Sequence, residues 1–445
     1  MDTGTRPSIW FLSWGLLAAL AIPPVPLRAA EPTSVLSSGD PGDPFDGMLT
    51  VRYGWDTRRG RVSREFLCTP GLPGCPGSPA LVYRSELATD RTRHRMDIDL
   101  RLGLWHDLEL FVSLPLVLGD RTDVSYAPGV TPLNSTVDPA SGMSLLKAGT
   151  PGHARSGFGD MTLGIRYAPL CQWRHPEQPN LALSLAWTAP TGRLKTADNG
   201  QVGMGLHGLR LDIAGSRRFG FVEPYLGLFG QVWIPGSSTL FRNWNPATQE
   251  RVAPGPSGGL SAGTEWFPWI RVREDGRPER FVAIDVGLEA AYHFAGREQT
   301  DLFEALGTSP CRSNPACVSS LAAKPLMAYD RTLDGKAQAI SFMDGVTDVS
   351  PYGTVGVHLG VTAQPIRHVA LSLSFRYDRE TSHFLTWANT GVNSDANNRT
   401  IELSNNQGVN EYNPVYNGDV DEPGRRLRSD GVDVFQVILA ISGRI

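Results

Sequence analysis

The chain has 445 residues, 41 Lys and Arg against 45 Asp and Glu, with 41% hydrophobic and 19% charged residues. That balance, a net charge of −4, excludes a disordered polyelectrolyte and gives no basic footprint for nucleic acid. The only long apolar run is N-terminal, which excludes a helical membrane protein. A soluble secreted β-protein and a membrane β-barrel remain, because alternating strands average to a soluble-looking mean hydropathy, here −0.19.

Arg6 precedes an apolar stretch from Ile9 to Ile22, then Pro23 and Pro24 and a small-residue segment around Ala29 and Ala30. A charged start, an apolar run too short to span a bilayer and a cleavage zone make an export signal over residues 1–30. Leu27 or Arg28 stands at the −3 position, where a small residue is preferred; a short N-terminal anchor is the alternative. Residues 31–445 then form one barrel domain. The cysteines agree with export. Cys68 and Cys75 bracket a Pro/Gly turn and Cys311 and Cys317 a five-residue loop, spacings that suit two small disulfide-closed loops. A zinc site is the competing reading, but neither gap is the two-to-four-residue one and no His pair flanks them. Cys171 is left as a free thiol.

From residue 45 on, the pattern alternates with period two. Leu49, Val51, Tyr53 and Trp55 share a face in the opening strand. Met96 to Leu104 and Leu108 to Leu116 form a hairpin about a turn at Trp105-His106-Asp107. Further hairpins follow at 161–167 with 181–187, 208–217 with 221–233, 259–267 with 281–293, and 355–361 with 369–377; in the third, Pro224 suggests an irregularity. The chain closes on 432–445. One opening strand, five hairpins and one closing strand predict twelve strands. Connections inside hairpins are short. Those between them are long and rich in Gly, Pro, Asn and Asp: 58–95, 119–156, 189–207, 234–258, 294–351 and 379–430. Loops sorted by rim with an even strand count predict an all-β, antiparallel up-and-down transmembrane barrel with short periplasmic turns, long extracellular loops and both termini in the periplasm. Trp55, Trp187, Trp233, Tyr292, Tyr352, Tyr377 and Phe435 fall near the long loops, and Trp105, Tyr167, Trp266 and Trp269 near the short turns, as two interfacial belts. Outer-membrane lipid and the barrel-assembly machinery are the implied partners.

Residues 157–167 (GFGDMTLGIRY), with Leu181–Trp187 and Pro190-Thr191-Gly192, resemble the outer-membrane family named for the MetA pathway of phenol degradation, among the transporter-like barrels. Ser113-Leu114-Pro115-Leu116 fits the same pattern, and the likeness spans about residues 48–235. It implies an outer-membrane barrel passing small, aromatic or hydrophobic compounds, and it brings no catalytic motif. Such barrels usually end in Phe or Trp, whereas this chain ends in Gly443-Arg444-Ile445.

With the apolar faces outward, the lumen receives Arg52, Asp97, Asp99, Arg101, Glu109, Asp160, Arg166, Asp285, Glu289, His358, Arg376 and Asp378, together with Asp56, Arg210, Asp212 and Glu265. Acids outnumber arginines, which predicts a mildly cation-preferring channel for small solutes; the competing reading is that the charges pair across strands in a plugged lumen. His94 near Asp97 and Asp99 raises a second class, a surface enzyme of lipase or protease type, and the long loops a third, a structural or adhesive barrel. No His-Glu-x-x-His helix occurs, and no cofactor is expected. The Asn/Asp-rich loop 379–430 carries oxygen ligands suited to calcium but matches no calcium-binding spacing and reads as a solvated loop.

Overall fold

The computed structural model describes residues 30–36, 45–70, 77–137, 146–237, 239–242, 249–272, 278–309, 345–395, 401, 411, 413, 416 and 418–444. Twelve antiparallel strands close on themselves: β1 (Asp46–Cys68), β2 (Ala80–Trp105), β3 (Leu108–Tyr126), β4 (Met161–Leu170), β5 (Asn180–Ala189), β6 (Leu206–Ser216), β7 (Val222–Pro235), β8 (Ser257–Val272), β9 (Pro278–His293), β10 (Tyr352–Ile366), β11 (Val369–Glu380) and β12 (Leu427–Arg444). Each pairs with its neighbour in sequence, and β12 returns to β1 with Met48 opposite Arg444 and Trp55 opposite Val437. Closure leaves none of these twelve strands as a free edge, the condition for carrying strands through lipid.

The two faces differ as the alternation requires. Leu211 is 50% exposed and Leu228 54%, and the same outward band includes Leu49, Leu100, Leu288, Val357, Leu371 and Ile441. Asp97, Glu109 and Glu223 on the opposite face are buried. A water-soluble sandwich places its leucines inside; this barrel places them outside. It has the architecture of an outer-membrane barrel. Tyr53, Trp187, Tyr292 and Tyr377 stand exposed toward the long loops, and Trp105, Tyr167, Trp266 and Trp269 toward the short turns. Trp233 and Tyr352 depart from the expected belt. Tyr352 points inward, stacked between His293 (4.5 Å between ring centroids) and His383 (4.3 Å). Trp233 packs beside Leu206 and Phe241 in a buried cluster.

Two expectations about connections are corrected. The interval 58–95 is largely strand: β1 and β2 run 23 and 26 residues, well beyond the roughly ten that cross a bilayer, and β3 continues to Tyr126. The extension was illegible because its outer face meets water. Thr57 to Arg64 shows no lipid-facing apolar set there, yet the inner face carries Val62, Leu87 and Val124. These three join Leu302, Leu306, Leu385 and Trp387 from the long loops in one buried cluster that fills the collar. Pro224 brings no irregularity, since β7 and β8 pair in continuous register from Val222–Trp266 to Gln231–Ser257, with Pro224 opposite Thr264.

Cys68 ends β1 and is buried, and Cys171 is a buried free thiol just after β4. Cys75, Cys311, Cys317, residues 1–29 of the expected signal and much of the loop 379–430 lie outside the described residues.

Candidate functional site: the barrel interior

Segments from outside the twelve strands pack against the inner wall at both ends of a central cavity. At the short-turn end the segment Ala30–Leu36 enters the barrel. It is met by side chains from five strands. The amide of Ala30 donates to Glu223 Oε1 (2.8 Å) and that of Leu36 to Glu109 Oε2 (2.9 Å), while Thr33 Oγ1 and Ser216 Oγ share a hydrogen bond (2.7 Å). The Ser34 carbonyl accepts from Arg101 (2.9 Å) and Arg166 (3.0 Å). Val35 packs on Ala168 and Ala182.

At the long-loop end arginines and carboxylates tie the loops across the mouth. Arg58 of β1 pairs with both Asp301 and Glu380, Arg155 with Glu304 (2.6 Å) and Arg297 with Asp348 (3.0 Å), and Arg91 is bidentate on Asp120. Pairing of this kind holds a closed geometry rather than adding much net stability, because each ion is desolvated. Lys195 reaches the same region with its amine 5.0 Å from the Phe303 ring centroid. Burial, then the Arg91 and Arg155 charges, push that amine down to about 7. Glu298 nearby is pushed up to about 7, again by burial.

Between these ends lies a cavity of about 380 Å³, lined by Pro32 of the entering segment and by Phe111, Arg166, Arg210, Asp212 and Phe229 of the wall. Phe111 and Phe229 sit on the otherwise polar face, each directly across from a glycine, Gly164 and Gly259. A Cβ at Gly164 would lie 2.3 Å from Phe111 Cζ, and one at Gly259 2.6 Å from Phe229 Cε1, so the missing side chains let the rings lie flat on the wall. A guanidinium covers each ring: Arg166 at 5.9 Å from the Phe111 centroid and Arg210 at 4.2 Å from that of Phe229. Arg210 is neutralised by Asp212 (2.8 Å). Arg166 is not: its partners are the Ser34 carbonyl and the Phe111 ring, with no carboxylate in contact among the described residues.

The other residues singled out in the sequence resolve into pairs. Arg52 meets Asp99 (2.8 Å), Arg95 meets Asp97 (3.0 Å), and Arg101 is bidentate on Glu109 (2.6 Å each). Arg376 bridges Glu289 (2.9 Å) and Asp378 (2.7 Å). His358 Nε2 contacts Asp285 Oδ2 (2.7 Å), and the Tyr225 hydroxyl contacts both, at 2.9 Å and 3.0 Å. Tyr225 and His358 lie on strands separated by two others, a contact only the concave side of the sheet allows. Asp160 spends its oxygens on the amides of Gly192 and Met204, both at 2.9 Å, and braces a loop. His94 is not brought to Asp97 or Asp99; its Nδ1 hydrogen-bonds the Tyr53 hydroxyl (2.7 Å) at an exposed position. Sequence reasoning missed the entering segment, Glu223, Tyr225, Phe111 and Phe229. Strand parity had a usable signal for the aromatics: each falls on the polar face opposite a glycine, Phe111 across from Gly164, Tyr225 from Gly263 and Phe229 from Gly259.

Comparison with solved structures finds distant likenesses. The chain is similar to the COG4313 outer membrane channel from Pseudomonas putida F1 at 14% identity, covering 91% of this chain and 99% of that one with a TM-score of 0.39. It is also similar to a Pseudomonas aeruginosa FadL homologue (10% identity, 90% of each chain, TM-score 0.29) and to the outer membrane protease OmpT from Escherichia coli (7%, 89% and 97%, 0.26). No family model matches the chain, so the likeness of residues 157–192 to the phenol-degradation family rests on those residues alone. No curated protein matches it.

Proposed function

We propose that the chain is an outer-membrane channel for the passive passage of small solutes, with the short turns and the segment 30–36 on the periplasmic side. We further propose that its cavity favours planar apolar molecules bearing one negative charge. The observation that carries this reading is the cavity wall: two flat phenyl rings supply apolar contact, and Arg166 is a cation without a carboxylate partner. A carboxylate on Arg166 would satisfy the fork geometry of the guanidinium, and a ring against Phe111 or Phe229 would replace water on an apolar face. Arg166 spends only Nη1 on the Ser34 carbonyl, which leaves its other N–H donors for the solute.

The test is planar-bilayer recording of the purified protein with benzoate and, as a neutral analogue of the same shape, benzyl alcohol. Benzoate is expected to modulate the current at concentrations where benzyl alcohol does not, and Arg166→Gln to remove the difference. A protein that inserts and never conducts would defeat the channel reading; equal responses to the two compounds would defeat the solute class alone.

A further inference from the structure

Glu223, the second residue of β7, is fully buried. Its Oε1 accepts from Ser216 Oγ (2.6 Å), Asn180 Nδ2 (3.3 Å) and the main-chain nitrogen of Ala30 (2.8 Å). Its Oε2, equally buried, has no hydrogen-bond partner. Arg218, whose charge also acts on this carboxylate, is not in contact with it: its guanidinium lies over the Phe267 ring at 3.8 Å and donates to the Gly220 carbonyl. A buried carboxylate with three donors crowded on one oxygen and none on the other lacks a cation.

The nitrogen already in place can become that cation. In the uncut chain Ala30 has one N–H, spent on Oε1. As the first residue of a processed chain the same atom is an ammonium with three hydrogens, enough for both carboxylate oxygens and for a charge that matches Glu223. Ala30 is itself fully buried, and its carbonyl accepts from the Thr33 amide (2.9 Å) and hydroxyl (3.1 Å), so the terminus is already fixed in position. The sequence permits the cut. Hydrolysis between Ala29 and Ala30 puts Ala29 at −1 and the uncharged Leu27 at −3, whereas a cut one residue later puts Arg28 at −3.

We propose that export processing cleaves the Ala29–Ala30 bond and that the new α-ammonium forms an ion pair with Glu223, anchoring the segment 30–36 inside the barrel. Water is the co-substrate of a host signal peptidase: its oxygen completes the Ala29 carboxylate, and the nitrogen of Ala30 leaves as an amine and takes up a proton. The proposal rests on the export reading of the N-terminus and not on conduction, and its tests read no current.

Protein purified from the outer membrane of a Gram-negative host is expected to give Ala30 as its first residue by N-terminal sequencing and intact mass. The α-amine of folded protein should react with 2-pyridinecarboxaldehyde at least tenfold more slowly than that of protein unfolded in hot dodecyl sulfate. Glu223→Gln, which keeps the shape and removes the charge, should bring the folded rate up to the unfolded one. A variant with one glycine inserted before Ala30 should do the same with Glu223 intact, and heat-modifiable migration on a gel verifies that both fold. A mature chain starting at any other residue would overturn the proposal. So would a wild-type amine that reacts at the unfolded rate, or one that stays protected in Glu223→Gln.

Discussion

Arg166 Nη1 donates to the Ser34 carbonyl at 3.0 Å, so a wall residue of β4 holds the backbone of the segment that fills the short-turn mouth. Arg101 of β2 donates to the same oxygen at 2.9 Å while it clamps the fully buried Glu109. The two arginines therefore differ in what their removal leaves behind. Arg166→Gln takes one donor from a carbonyl that keeps another, a loss of about 1 kcal/mol. Arg101→Gln strands a buried carboxylate and should cost about 3–5 kcal/mol. Urea midpoints followed by tryptophan fluorescence should separate the two. Equal midpoints would mean that Glu109 is satisfied without Arg101. Both variants should also open more often in bilayer recordings, because each removes one of the two donors that hold Ser34.

The flat setting of Phe111 depends on Gly164. An added methyl would meet Phe111 Cζ at 2.3 Å and the Leu185 carbonyl at 2.7 Å, one movable and one not. Gly164→Ala should destabilise the barrel by about 1–3 kcal/mol. Gly230 has nothing within 4 Å of an added Cβ, and Gly230→Ala should stay within about 0.5 kcal/mol of wild type. Phe111→Leu in the Gly164→Ala background should restore part of the loss, since the ring yields while the backbone carbonyl does not. Equal midpoints for the two glycine variants would show that the ring shifts freely.

The strand count and the lipid-facing set were legible because lipid imposes one simple rule, an apolar residue at every second position, and Leu181 to Trp187 or Val369 to Tyr377 obey it. The same rule hid what it did not govern. The collar of β1 and β2 faces water and lost its apolar alternation, so Arg58 and Arg91 read as loop residues. Trp233 and Tyr352 sit at belt height but on the inner parity, and counting aromatics by height alone placed them outside. Individual lumen residues were read from parity; their partners were not, since Arg52 meets Asp99 only through the β1–β2 register, which places Arg52 opposite Asp97. The segment 30–36 carries no periodicity at all and is held by strand residues 67 to 193 positions away.

The long-loop cap should show opposed pH dependences from Glu298 and Lys195. Glu298 faces Arg58 and Glu380, and burial raises it from 4.5 to about 7. The folded state thus binds its proton more tightly than the unfolded chain, and its contribution is lost as pH rises from about 4.5 to 7. Lys195 faces Arg91, Arg155, Asp120 and Glu304 and falls from 10.5 to about 7. Its penalty is complete below about 7 and is relieved as pH rises toward 10.5. His383, lowered by burial, opposes Glu298 below its ordinary value, so the difference from wild type carries the test. Glu298→Gln should remove a falling limb between pH 4.5 and 7, and Lys195→Met should raise the thermal midpoint at pH 6 but not at pH 10. Difference curves flat across pH 4–10 would show that neither group is desolvated in the folded cap.

Ion selectivity should follow the pairing in the lumen rather than the count of acids. Asp97 and Asp99 are matched by Arg95 and Arg52, so the wild-type lumen presents little net charge along this wall. The double change Asp97→Asn and Asp99→Asn uncovers two guanidinium groups. In a watery lumen each uncovered charge acts on a passing ion 4 Å away with about 1 kcal/mol, so permeability should move about fivefold toward anions. Reversal potentials across a potassium chloride gradient measure that ratio. Adding Arg52→Gln and Arg95→Gln should bring the potential back to the wild-type value, because the quadruple variant is again balanced. A double variant with an unchanged reversal potential would mean that ions bypass this stretch of β1 and β2. A quadruple variant that stayed anion-preferring would mean that the unmatched Arg166, and not the β1–β2 wall, sets the selectivity.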